Sequence, residues 1–98
     1  MALDNEDRAF LEKTIDSTVK QVPNFVKMAR MEVYQKYAQD KEADDFVLGF
    51  AIGIIYGGFV EHFITRQQRR PSEDEIGEAN EVILRRTREI KEAIFKCG

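Results

Sequence analysis

Apolar residues recur at steps of three and four along most of this chain, and a long uncharged run near its middle breaks that rule. Phe10, Leu11, Ile15, Thr18, Val19 and Val22 fall on one face of a helical period, with Asp4 placed as N-cap and Asp7 three residues on. Pro23 lacks an N–H and disfavours helical geometry at Val22, which predicts a joint over Gln21 to Asn24. A second helix is expected from Phe25 to Gln39, where Phe25, Ala29, Val33 and Tyr37 form an i, i+4 row that Val26, Met28, Met31 and Tyr34 widen. The charged run from Asp40 to Asp45 marks a turn, and its last carboxylates suit the start of the next helix.

From Phe46 to Val60 no residue is charged, and a helix apolar on every side has to be surrounded by other helices or by lipid. Glu61 and His62 interrupt the run and Phe63 and Ile64 resume it. Arg66, Arg69 and Arg70 then supply cations suited to a helix C-terminus, and Pro71 ends it. Ser72 and Glu75 form a capping box that opens a fourth helix. That helix carries Ile76, Ile83, Ile90 and Cys97 at steps of seven, which makes a narrow seam. Alternating β-branched runs and hairpin dipeptides are scarce, so the pattern predicts an all-α fold. The expectation is a small four-helix bundle over residues 1–98 as a single domain. Its third helix is central, and homodimerisation completes it, since a domain of this size hides only about 60–65% of its surface.

Gly49, Gly53 and Gly57 recur every four residues with Gly58 beside the last, giving the third helix a ridge without side chains. Each interior glycine costs roughly 1 kcal/mol relative to Ala, so the ridge is expected to be offset by close approach of another backbone. The same small-xxx-small spacing serves helix crossings in water and in membranes. Fifteen uncharged residues rise about 22 Å against roughly 30 Å of hydrocarbon, so a span over residues 46–64 has to bury Glu61 and His62 near one end. The other segments read as amphipathic helices in need of a common core, which favours a soluble assembly over a single-span membrane accessory subunit.

Composition narrows the functional classes. Fifteen Lys and Arg against eighteen Asp and Glu give a net charge of −3, which argues against nucleic-acid backbone binding as the main role. One cysteine and an N-terminus without a basic or apolar leader point to the cytoplasm. No nucleophile with a neighbouring base, no Glu-x-x-His pair and no nucleotide fingerprint appears, so no catalytic residue, metal or cofactor is assigned.

The expected function is that of an interaction or assembly protein whose partner is a second copy of itself or another protein. The interface residues are Gly49, Gly53, Gly57, Gly58, Ile76, Ile83 and Ile90. Acidic residues fill the first half of the fourth helix and basic ones the second, so two copies packed through Ile76, Ile83 and Ile90 are expected to run antiparallel. Glu61 lies one further step of four along the glycine ridge and, with His62 and Arg66, forms a candidate polar or ligand site. Its candidate partners are Thr65, His62, Arg85, Arg86 and Arg88. A minimal metal-binding protein or hydrolase built on Glu61, His62 and acidic pairs such as Glu75/Glu78, Glu78/Glu81 and Glu42/Asp45 is the alternative with chemistry of its own.

Overall fold

The structure, a computed structural model, describes residues 2–38 and 43–98. The protein is all-α. Its helices are α1 (Asn5–Ala29), α2 (Glu32–Ala38), α3 (Ala43–Gln67) and α4 (Glu73–Lys96), with no strand among the described residues. Asp4 caps α1, its side chain accepting from the Asp7 N–H, and Ser72 and Glu75 close the capping box at α4 as their spacing predicts.

The first helix does not end at Pro23. It runs on to Ala29, so the expected joint over Gln21 to Asn24 lies inside α1 and the break falls at Arg30 and Met31. The reason is packing. Leu11, Ile15, Thr18, Val22, Val26 and Ala29 make one continuous buried face that passes beneath Pro23, whose ring is exposed. Burying Val26 and Ala29 with the rest outweighs the penalty of about 3 kcal/mol for proline in a helix interior. The second helix is consequently cut to seven residues, and Met31 and Val33 are exposed rather than part of a broad buried stripe. The expectations placed on Gln39 to Glu42, including the Glu42/Asp45 pair, lie outside the described residues.

The third helix also stops sooner than Pro71. It closes at Gln67, and Gln68 takes a left-handed conformation (φ 58°) with its N–H donating to the Ile64 carbonyl, a helix-terminating geometry. Arg69 and Arg70 therefore lie beyond the helix.

The three long helices pack on one another, and α2 sits at one end against α1 and α3. Asp7 near the start of α1 meets Arg66 near the end of α3, while Phe25 near the end of α1 meets Phe50 near the start of α3, so these two helices are antiparallel. Contacts from Arg8 to Glu78 and from Glu12 and Asp16 to Arg86 set α4 parallel to α1. The chain measures 41 × 23 × 18 Å.

Val47, Ala51, Ile55, Phe59 and Phe63, an unbroken i, i+4 row on α3, are fully buried between α1 and α4. Ile83 and Ile90 of α4 belong to the same core, with Ala79, Val82 and Ile94, while Ile76 and Cys97 are half-buried. The third helix is not enclosed, contrary to the expectation of a central position. With Pro23 absorbed into α1, only two long helices remain to cover it, and both lie on the same side.

Candidate functional site

Two features stand apart from the core, and both involve α3. The first is a polar cluster where the C-terminal end of α3 crosses the start of α1. Asp7 occupies the apolar row defined by Leu3, Leu11 and Ile15 and is completely buried. A carboxylate there needs a counter-charge, and Arg66 supplies it. Its Nε donates to Asp7 Oδ1 at 2.9 Å and one terminal nitrogen to Oδ2 at 3.0 Å. The same guanidinium reaches Glu6 at 2.9 Å and also pairs with Asp4. Gln67 adds donors to Asp4 and Asp7 at 3.2 and 3.1 Å.

These bonds, led by that to Asp7, raise the Arg66 pKa above its ordinary value and so hold it charged. The Asp4 carboxyl is held below its usual range, first by the Asp7 backbone N–H it accepts and then by Arg66. His62 stacks flat on Phe10, ring centroids 3.8 Å apart, with its Nε2 buried, without a hydrogen bond, and 3.8 Å from Asp7 Oδ1.

A second clamp ties α4 to the same end. Arg69 donates to both oxygens of Glu75 at 2.8 and 3.0 Å while its guanidinium lies 4.9 Å from the Phe63 ring. The Arg69 bonds, assisted by the Ser72 N–H, hold the largely buried Glu75 carboxyl down to about 2. Glu78 accepts from the Ala2 and Leu3 N–H groups and from Arg8. Each acceptor is thus committed to a donor within the chain, and the chemistry of the cluster is that of a fastening: it fixes the crossing of α1, α3 and α4.

The second feature is the outward side of α3. Gly49, Gly53 and Gly57 lie there, and a Cβ built on any of them meets no atom within 4 Å beyond its chain neighbours and the adjacent turns of its own helix backbone. Gly58 faces inward, toward the Thr14 methyl at 3.7 Å. Phe46, Phe50, Ile54 and Ile64 border the ridge and are each more than a third exposed, although Phe50 touches Phe25 and Phe46 touches Tyr34 along one edge. The face is uncharged from Phe46 to Val60 and ends at Glu61, which is exposed and makes no hydrogen bond or ion pair among the described residues.

The structure brings His62 and Arg66 together on Asp7 but leaves Glu61 on the other side of a shallow cleft lined by Phe10, Gly58, Glu61, His62 and Thr65. Arg85, Arg86 and Arg88, the candidate partners for Glu61 on α4, pair instead with Glu81, with Glu12, Asp16 and Glu89, and with Glu92. Among the described residues no group of three or more His, Cys, Asp and Glu side chains is placed to hold a metal ion.

Asp7, Phe10 and Gln67 do not emerge from the sequence as members of a site. The signal for Asp7 is an acid in an otherwise apolar i, i+4 row, Leu3, Asp7, Leu11 and Ile15, which marks a buried carboxylate in need of a cation. Comparison with known protein families, with curated proteins and with solved structures finds no match for this chain.

Proposed function

We propose that this chain is a small cytoplasmic interaction and assembly protein, a helical bundle that acts as a homo-oligomer and has no chemistry of its own. One observation carries the reading. The longest apolar stretch in the sequence presents an uncharged face of glycines and half-exposed Phe and Ile side chains that α1 and α4 leave bare. Exposed apolar patches of this kind mark sites of association. The α4 seam is already engaged within the chain through Ile83 and Ile90, so the α3 face is the one on offer. Detergent-free size-exclusion chromatography with light scattering, run over a dilution series, tests the reading. The expected result is a discrete species of at least two chains, and a monodisperse monomer throughout overturns it.

A second reading, a membrane-associated accessory subunit spanning the bilayer through α3, has one specific observation in its favour. Asp44–Gln67 is long enough to cross, and an 18-residue stretch within it has a mean hydropathy of 1.7 with only 28% of its residues buried. Against it stands the cost of lifting α3 away, which exposes Leu11, Ile15, Val22, Ile83 and Ile90 to water. A monodisperse protein without detergent removes this alternative.

A further inference from the structure

His62 is the only histidine in the chain, and its Nε2 is the one side-chain nitrogen or oxygen among the described residues that is buried without a hydrogen-bond partner. That atom stops 3.8 Å from Asp7 Oδ1, beyond hydrogen-bond reach. We infer that His62 is a proton-operated latch: on taking a proton from solvent, the imidazolium donates from Nε2 to Asp7 Oδ1 and tightens the crossing of α1 on α3.

The acceptor has a place open for it. A carboxylate offers about four lone-pair sites, and three of those on Asp7 are taken. Oδ2 accepts from a terminal nitrogen of Arg66 and from Gln67, whereas Oδ1 accepts only from Arg66 Nε among the described residues. The free site is thus on the oxygen that His62 approaches, and a shift of about 1 Å closes the gap.

Charge favours the proton. Asp4, Glu6 and Asp7 share the single guanidinium of Arg66, so three carboxylates face one cation. Glu61, across the shallow cleft from His62, adds a further carboxylate. On the α4 side Arg69 is matched by Glu75, a pair with no excess of either sign. The stack on Phe10, with ring planes within 4°, sets the imidazole over the electron-rich face of the phenyl ring, which also suits a cation. Burial of Nε2 opposes the charged form, but 28% of the side chain stays open to solvent, so the ring is only partly desolvated and a proton can reach it. In the unfolded chain the imidazole has neither these carboxylates nor the phenyl ring beside it. The charged form therefore gains interactions on folding, and stability is expected to rise as the pH falls from about 8 to about 5, where histidine is the side chain that ordinarily titrates.

Urea unfolding of the full chain at one protein concentration, for wild type and His62→Phe, reads the effect. Phenylalanine keeps a flat ring against Phe10 and takes up no proton. The wild-type folding constant is expected to rise about tenfold over that range relative to the variant's, the size of one hydrogen bond to a charged group. Glu6→Gln removes an exposed carboxylate of the cluster and is expected to shrink the rise with helicity by circular dichroism unchanged. Nitrogen-edited NMR of the single imidazole is expected to show, at about pH 5, an Nε2–H that exchanges slowly with water.

A rise in wild type that is absent from His62→Phe, together with the slowly exchanging Nε2–H, supports the latch. Parallel curves for the two proteins, a wild type that loses stability relative to His62→Phe on acidification, or an Nε2–H that exchanges freely overturns it. Where His62→Phe fails to fold, Glu6→Gln takes its place: a smaller rise than in wild type supports the latch, and an equal one overturns it.

Discussion

Arg66 grips the buried Asp7 carboxylate through two bonds, Nε to Oδ1 at 2.9 Å and a terminal nitrogen to Oδ2 at 3.0 Å, and thereby locks the end of α3 to the start of α1. A buried pair of this kind is asymmetric in its energetics. Removing the cation alone strands a carboxylate without water, whereas removing both charged groups leaves an apolar contact. Arg66→Met is therefore expected to lower the thermal midpoint markedly, and Asp7→Leu/Arg66→Met to recover much of the loss. Thermal melts of the two variants followed by circular dichroism check the order. A double variant less stable than Arg66→Met shows that Asp7 is held mainly by its other donors.

Glu75 gives the fold an acid-sensitive fastening. Its folded pKa, about 2, lies below the ordinary value of 4.5, chiefly because Arg69 donates to both of its oxygens. A carboxyl depressed on folding adds stability that is fully present above its ordinary value and is lost as pH falls through the folded one. Glu75→Gln retains an N3 side chain able to accept from the Ser72 N–H but gives up the ion pair. The variant is expected to melt below wild type at pH 7, with the gap between them closing as the pH is taken from about 4.5 toward 2. Melting curves across that range provide the measurement, and a gap that does not change with pH assigns the effect to the cap alone.

Pro23 is the one residue of α1 that opposes its own helix. The buried face on either side of it is continuous and its ring is exposed, so replacing it removes a local penalty without disturbing the core. Pro23→Ala is expected to stabilise the chain by about 1–3 kcal/mol in denaturant unfolding. A loss of stability shows that the ring limits the unfolded chain more than it strains the helix.

The contrast between Pro23 and Ser72 explains which parts of the fold are legible in the sequence. The capping box at Ser72 and Glu75 and the N-cap at Asp4 depend on neighbours three residues away, and both form as their spacing predicts. Whether a proline breaks a helix depends instead on what lies beneath it, here Val22 and Val26 in a shared core, and periodicity does not weigh that. The length of α1 in turn determines how many helices can cover α3, so the misplaced joint and the bare glycine face share one cause.

The polar cluster was half visible. Arg66 and His62 stand out as charged or titratable residues near the end of an apolar helix, while Asp7 reads as part of a helix start. Its partner lies 59 residues away, a separation that only the antiparallel packing of α1 on α3 closes.

Glycines on two different helices separate intrinsic helix propensity from contact with another chain. Gly77 on α4 and Gly53 on α3 are alike in that an added Cβ meets nothing within 4 Å beyond its chain neighbours and the adjacent turns of its own helix backbone. In an isolated chain, replacing either with Ala is worth about 1 kcal/mol of added stability, because alanine has less backbone entropy to lose on forming a helix. Gly77 lies away from the α3 face, so Gly77→Ala is expected to show that gain at every protein concentration. Gly53 lies on the α3 face proposed to associate, where a methyl group holds two backbones apart. Gly53→Ala is therefore expected to match Gly77→Ala at high dilution and to fall behind it as concentration rises and wild-type chains pair. Urea unfolding of both variants over a hundredfold range of concentration makes the comparison, and equal gains throughout show that no second backbone reaches the glycine ridge.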